Sequence, residues 1–276
     1  MSDGYTLLRV EVAAGVCRAT IDHPPINLLD IPLMLELDRL GREVEGDDSI
    51  NVLVLDSANP DFFIAHADVT TILGLPREPL ADPPEELGFF HSLVDRFRTM
   101  PAVTIGLVEG IARGGGCELL ASLDMRFAEL GKAVFGQPEA LLGIIPGGSG
   151  TQRWPRLVGS NRALEVVLSG ADIDAELAER WGFVNRSLPP DELRAHVAAL
   201  AARIGSLPRT AVVEAKAAVA AAGSDPIAGL NQEWQSFTRC LADDEAIARM
   251  QRFLDRGGQT PDVERRPITL DGDTWL

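Results

Sequence analysis

Apolar positions recur along the chain with two different periods. Over residues 5–12 and 16–22 they alternate with polar ones, around Ala13, Ala14 and Gly15. That pattern predicts two strands joined by a tight turn. Over 31–46, Leu33, Leu37, Leu40 and Val44 fall three and four apart, which predicts an amphipathic helix. Residues 51–55 and 102–108 are nearly continuous apolar runs, as expected of strands covered on both faces. Between them a polar, proline-containing stretch at 75–85 predicts a mobile loop, and Phe89, Leu93 and Phe97 mark one face of a further helix.

After the second buried run come Gly114, Gly115 and Gly116, then a predicted helix over 117–123 and a strand over 123–128. A strand, a glycine turn and a helix start aim several backbone N–H groups at one point. Residues 143–150 (Gly-Ile-Ile-Pro-Gly-Gly-Ser-Gly) predict a tightly turned loop. From Ser160, read as a helix cap, the pattern turns helical: 161–168, a short helix over 174–181 stopped by Gly182, 190–204 and 209–222. A long helix is expected over 232–256, ending at Gly257-Gly258, and an extended tail beyond it. The expected organisation is an α/β core over 1–200 and a helical C-terminal region over 201–276.

Charge narrows the function classes. The 41 acidic residues against 25 basic ones give a net charge of −16. Nonspecific nucleic-acid binding and anionic membrane surfaces both need the opposite balance. An anionic small molecule remains compatible, because local N–H groups outweigh a distant field. Cys17, Cys117 and Cys240 are odd in number and far apart, which predicts free thiols rather than a disulfide or zinc framework. The first residues do not read as a signal peptide and no apolar run spans a bilayer, so the expected location is the cytoplasm.

Two acids stand in unusual company. Glu118 follows the glycine turn, where the bland role is that of a helix-capping acid. Glu139 lies among Phe135, Leu141 and Leu142, where a charge is costly unless it is solvated or used. Two carboxylates can divide acid and base work between them. The four histidines are scattered and form no triad or metal cluster; His66, in Phe-Ile-Ala-His-Ala-Asp, is the one singled out.

Several stretches in order carry a resemblance: Ile21-Asp22-His23-Pro24-Pro25-Ile26-Asn27, residues 112–120, residues 135–153 with Phe-Gly-Gln-Pro-Glu and Pro-Gly-Gly-Ser-Gly-Thr-Gln-Arg, and residues 168–185. Together they resemble the enoyl-CoA hydratase/isomerase, or crotonase, superfamily. The resemblance implies a spiral ββα core with an α-helical C-terminal region that serves oligomerisation and pocket closure. It also implies an acyl-CoA thioester substrate, no metal or redox cofactor (coenzyme A being part of the substrate), and a homotrimer or dimer of trimers.

Carried over by position, the resemblance makes the N–H groups of Ala67 and Gly115 an oxyanion hole for the thioester carbonyl. It gives Glu118 and Glu139 the reacting water, with Ala65, Ala67, Asp68 and Gly115 forming the thioester-binding stretch. Because both glutamates are present, the implied reaction is hydration of a 2-enoyl-CoA. The alternatives are a Δ3,Δ2-enoyl-CoA isomerase using Glu139, other acyl-CoA chemistry on this fold, and a binding protein without turnover. The chain departs from the family's usual pattern at His66, where glycine is common, at Thr70, where hydratases often carry lysine, and from Ala242 onward. Arg249, Arg252 and Arg256 share one helical face and are a candidate contact for the CoA 3′-phosphate.

Overall fold

The computed structural model describes residues 4–82, 84–220, 234–235 and 237–267. The opening hairpin is as the alternation predicts: β1 (Leu8–Ala13) pairs antiparallel with β2 (Val16–Ile21) across a two-residue turn. Helix α1 (Ile31–Glu45) starts where the Asp30 carboxylate accepts from Leu33 N, and it buries Leu33, Leu37, Leu40 and Val44.

From β3 (Val52–Ser57) to the eighth strand the chain repeats one step, sending a strand to a large sheet and the next to a small one. The large sheet has the order β1-β2-β3-β5-β7-β10, with β5 (Val103–Val108), β7 (Met125–Glu129) and β10 (Arg186–Leu188). Beyond the hairpin all its pairings are parallel. The small sheet runs β4 (Phe62–Ile64), β6 (Ile111–Arg113), β8 (Val134–Gly136), β9 (Ile173–Asp174). The uninterrupted apolar run of β3 follows from this layering. Leu53 and Leu55 face the main core under α1, while Val52 and Val54 join a second core under α8 (Pro190–Gly205). The α/β spiral with helices at its C-terminal end is therefore observed.

Other helices fill the layers: α2 (Val69–Leu73), α3 (Phe89–Thr99), α4 (Gly114–Ser122), α5 (Gly150–Val158), α6 (Ser160–Ser169), α7 (Ala175–Trp181) and α9 (Arg209–Ala220). Helix α4 is buried along its whole length and packs against β4, β6, β8, α3 and α5. A Cβ on its Gly116 would stand 2.5 Å from the Ile64 carbonyl oxygen, so only glycine lets the helix lie this close to β4.

Several boundaries differ from expectation. Helix α4 begins at Gly114 itself, so the glycines are its first turn and Glu118 sits a turn further in, not at the cap. Gly159 occupies the cap of α6, with Ser160 already helical. Phe89 is exposed, and α3 buries His91, Leu93, Val94 and Phe97. The expected C-terminal helix is interrupted at Ala242 and Asp243 before α10 (Asp244–Asp255); its expected start at 232 and the end of α9 at 222 lie outside the described residues. The chain after Gly257 is no extended tail as far as 267. It folds back through α11 (Pro261–Glu264) and buries Val263 and Glu264, because these reach apolar and charged partners on the core. Residues 268–276 lie outside the described residues. Among the described residues no helix is long and apolar enough to cross a membrane.

Candidate active site

The triple glycine and the loop after β4 meet at one cavity of about 320 Å³, whose wall includes Ala67, Asp68, Gly115, Glu118 and Glu139. Ala67 and Gly115 approach closely: a Cβ on Gly115 would lie 3.1 Å from Ala67 Cβ and 3.5 Å from Ala67 N. A parallel bridge ties the loop to the chain before α1, through Leu29 N donating to His66 O and Asp68 N donating to Leu29 O. The N–H of Ala67 stands outside that ladder. Gly115, second residue of α4, has an N–H that no preceding helical carbonyl can accept.

Ala65 lies behind the cavity rather than on it. It is buried with Ile26 and Phe62, donating to Ile26 O and accepting from Arg113 N. Asp68 caps α2, accepting from Thr70 N and Thr71 N, and it also accepts from Gln259 Nε2. Burial pushes its pKa up, but hydrogen bonds from Thr71, Gln259 and Thr70 outweigh burial and hold it below the usual carboxylate value.

Each glutamate is aimed by neighbours. The Glu118 Oε1 accepts from Gly148 N at 2.8 Å and from Gly150 N at 2.7 Å. The glycine-rich loop thus approaches with its backbone: a Cβ on Gly148 would lie 2.0 Å from Phe90 Cε1 and 2.8 Å from Glu118 Oε2. Glu139 sits in the 3₁₀ turn Pro138–Leu142 and is 9% exposed. With its amide assigned to suit its neighbours, Gln137 donates through Nε2 to both Glu139 oxygens at 3.0 Å and accepts on Oε1 from Trp154 Nε1 at 3.0 Å. Sequence reasoning missed Gln137, although it stands in the quoted Phe-Gly-Gln-Pro-Glu stretch. Trp154 is core as its type suggests, stacked on Phe183 at 4.2 Å, but its indole nitrogen completes the relay.

The rest of the cavity is mostly apolar, with Phe89, Phe90, Trp234 and Phe237 among its lining residues. His91, also missed, is 2% exposed, lines the same cavity and meets Trp234 edge-on at 6.0 Å. His66 lines a small neighbouring cavity that Ala67, Gly115 and Glu139 also line. Thr70 is exposed on α2. Arg252 is exposed on α10 and half-buried Arg249 reaches the Leu141 carbonyl at 3.5 Å, but Arg256 is exposed in the turn after the helix, so the expected shared face does not include it. Cys117, beside Glu118, is fully buried, and burial pushes its thiol well above the ordinary value. Among the described residues no cluster of three or more His, Cys, Asp or Glu could hold a metal ion.

Ala67 and Gly115 stand close together on one cavity with two oriented carboxylates; main-chain N–H donors and carboxylates are what enolising an acyl compound and moving protons beside it require. The sequence profile of the enoyl-CoA hydratase/isomerase family matches residues 11–261, and the chain belongs to that family. It is 32% identical over 250 residues (90% of this chain, 94% of the relative) to the short-chain-enoyl-CoA hydratase of Clostridium acetobutylicum. It is 34% identical over 233 residues (84% and 88%) to the crotonyl-CoA hydratase of Syntrophomonas wolfei. Among solved structures, a "putative enoyl-CoA hydratase" from Streptomyces avermitilis matches with a TM-score of 0.87 and 40% identity, covering 95% of this chain and 96% of that one.

Proposed function

We propose that the protein hydrates 2-enoyl-CoA thioesters. What carries this reading is that Glu118 and Glu139 line the same cavity as Ala67 and Gly115. The thioester oxygen is held by the Ala67 and Gly115 N–H groups, which take up the negative charge as the enolate forms. Glu118 removes a proton from water while the oxygen bonds to C3. Glu139 delivers a proton to C2, and the pair acts as one coupled unit. The bond broken is the 2,3 π bond, and the product is a 3-hydroxyacyl-CoA. The acyl group lies against the aromatic wall. The reaction needs no metal or redox cofactor, and the working assembly is a homotrimer or a dimer of trimers; a monomer by light scattering would contradict the last point.

The test is a panel of 2-enoyl-CoA and 3-enoyl-CoA esters followed by the conjugated thioester absorbance. Glu118→Gln and Glu139→Gln are each expected to lower hydration of 2-enoyl esters by about 10²–10⁴-fold, the usual weight of general acid–base catalysis. Activity confined to 3-enoyl esters and surviving Glu118→Gln would make the enzyme an isomerase. CoA binding without turnover of any ester would make it a binding protein.

A further inference from the structure

Behind Ala67 the protein buries the charged side chains of His66, Glu264 and Arg113, with half-buried Asp172 beside them. His66 and Glu264 are 6% and 0% exposed, with His66 Nε2 3.0 Å from Glu264 Oε1. Arg113, 1% exposed, makes paired bonds to Asp172 at 2.8 and 2.7 Å and donates to the carbonyl of Glu264 at 2.7 Å. The His66 Nδ1 lies 2.8 Å from the Ala67 carbonyl oxygen. A carbonyl only accepts, so Nδ1 carries a proton. Nε2 faces the Glu264 carboxylate at ion-pair distance, so the arrangement is that of an imidazolium beside an ionised Glu264. Glu264 Oε1 also accepts from Gln259 N at 2.8 Å, and the Gln259 side chain accepts from Val69 N at 2.9 Å and donates to Asp68 at 2.8 Å. The C-terminal segment therefore grips the loop on both sides of Ala67.

We propose that His66 and Glu264 are positioning residues: their ion pair clamps the loop that presents the Ala67 N–H opposite Gly115, and the clamp holds while His66 is protonated and Glu264 ionised. The proposal rests on the hydration reading of the same cavity. Other charged groups around the pair are Arg113 from β6, Asp172 ahead of β9, Glu139 from the 3₁₀ turn and Asp68 at the head of α2. Burial opposes the His66 charge, but Glu264 and the Ala67 carbonyl hold its pKa above the ordinary histidine value. Burial likewise opposes ionisation of Glu264, and His66, Gln259 N–H and Arg113 bring it below the ordinary carboxylate value. The clamp is thus intact around neutrality and lost as pH rises through the raised His66 value or falls through the lowered Glu264 value.

The experiment uses full-length Glu264→Gln. It is expected to stay folded by circular dichroism, to lose kcat on a 2-enoyl ester about tenfold with KM within about twofold, and to move the alkaline limb of the kcat profile to lower pH. Adding His66→Gly should cost little more, since the two act as one unit. Unchanged kcat and an unmoved alkaline limb in folded Glu264→Gln would overturn the proposal. Should Glu264→Gln not fold, Gln259→Ala removes the grip on Val69 and Asp68 while sparing the charges; it should lower kcat without raising KM, and an unchanged kcat would overturn the clamp. Should the wild type hydrate no ester, the hydration reading has failed, and the clamp is judged by hydrogen exchange. Faster exchange of the 66–69 amides in either variant supports it, and unchanged exchange overturns it.

Discussion

Gly115 reaches the cavity inside a helix whose every residue is buried, whereas Ala67 reaches it on a loop held by a glutamine 190 positions away from Val69 in the chain. The first of these is fixed by local means: three glycines, a helix start and close packing on β4. The second depends on the chain closing over itself, through Gln259, Glu264 and an ion pair that titrates. One site thus joins a rigid half and a fastened half, and the fastened half rests on an ion pair and on residues far from Ala67 in the chain.

The largest effect tests the fastening. Arg113→Met leaves Asp172 without its paired bonds and the carbonyls of Glu264 and Arg266 without their donor. Removing one partner of a buried pair costs about 3–5 kcal/mol, so calorimetry should show the melting temperature falling by about 10 °C. Gly115→Ala attacks the rigid half instead. Its Cβ would meet Leu29 Cδ2 at 3.0 Å and Ala67 Cβ at 3.1 Å, forcing the two residues apart. Steady-state kinetics should show kcat/KM down about 10²-fold with melting little changed.

A smaller effect sharpens the pH difference. The folded pKa of His66 is raised, so its share of stability is fully present below its ordinary value of 6.5 and lost as pH rises through the raised one. That of Glu264 is lowered, so its share is present above its ordinary value of 4.5 and lost as pH falls through the lowered one. The melting difference between wild type and Glu264→Gln should therefore be widest between pH 4.5 and 6.5 and narrow on either side. A flat difference across a pH series would mean the pair contributes packing alone. The smallest effect is expected from Thr70→Lys, exposed on α2 beside the fastened loop. At low salt it should lower KM for CoA esters about two- to threefold, and the gain should vanish as salt screens it.

The same division governs what could be read from the residues. The strands, α1 and the short helix stopped by Gly182 were legible because period, cap and glycine all act within a few positions. The resemblance placed Glu118, Glu139, Ala67 and Gly115, and the fold brings all four to one cavity. Glu118 was expected at the helix cap because a triple glycine reads as a turn; here it is helical, since α4 needs glycine for contact rather than for a bend. Gln137, His91 and Glu264 were not legible. Their partners, Trp154, Trp234 and His66, lie far along the chain, and no local pattern marks a contact made by tertiary closure.

Cys117 gains a meaning from its neighbour. A conjugated thioester is a Michael acceptor, and the carbon that takes water would take a thiolate more readily. One residue from Glu118 the chain carries sulfur, yet that sulfur is 0% exposed and its pKa is pushed well up, chiefly by burial. It stays a protonated thiol packed in the core. A helix built this way can face a reactive electrophile without Cys117 being alkylated, leaving C3 to water rather than to this thiol.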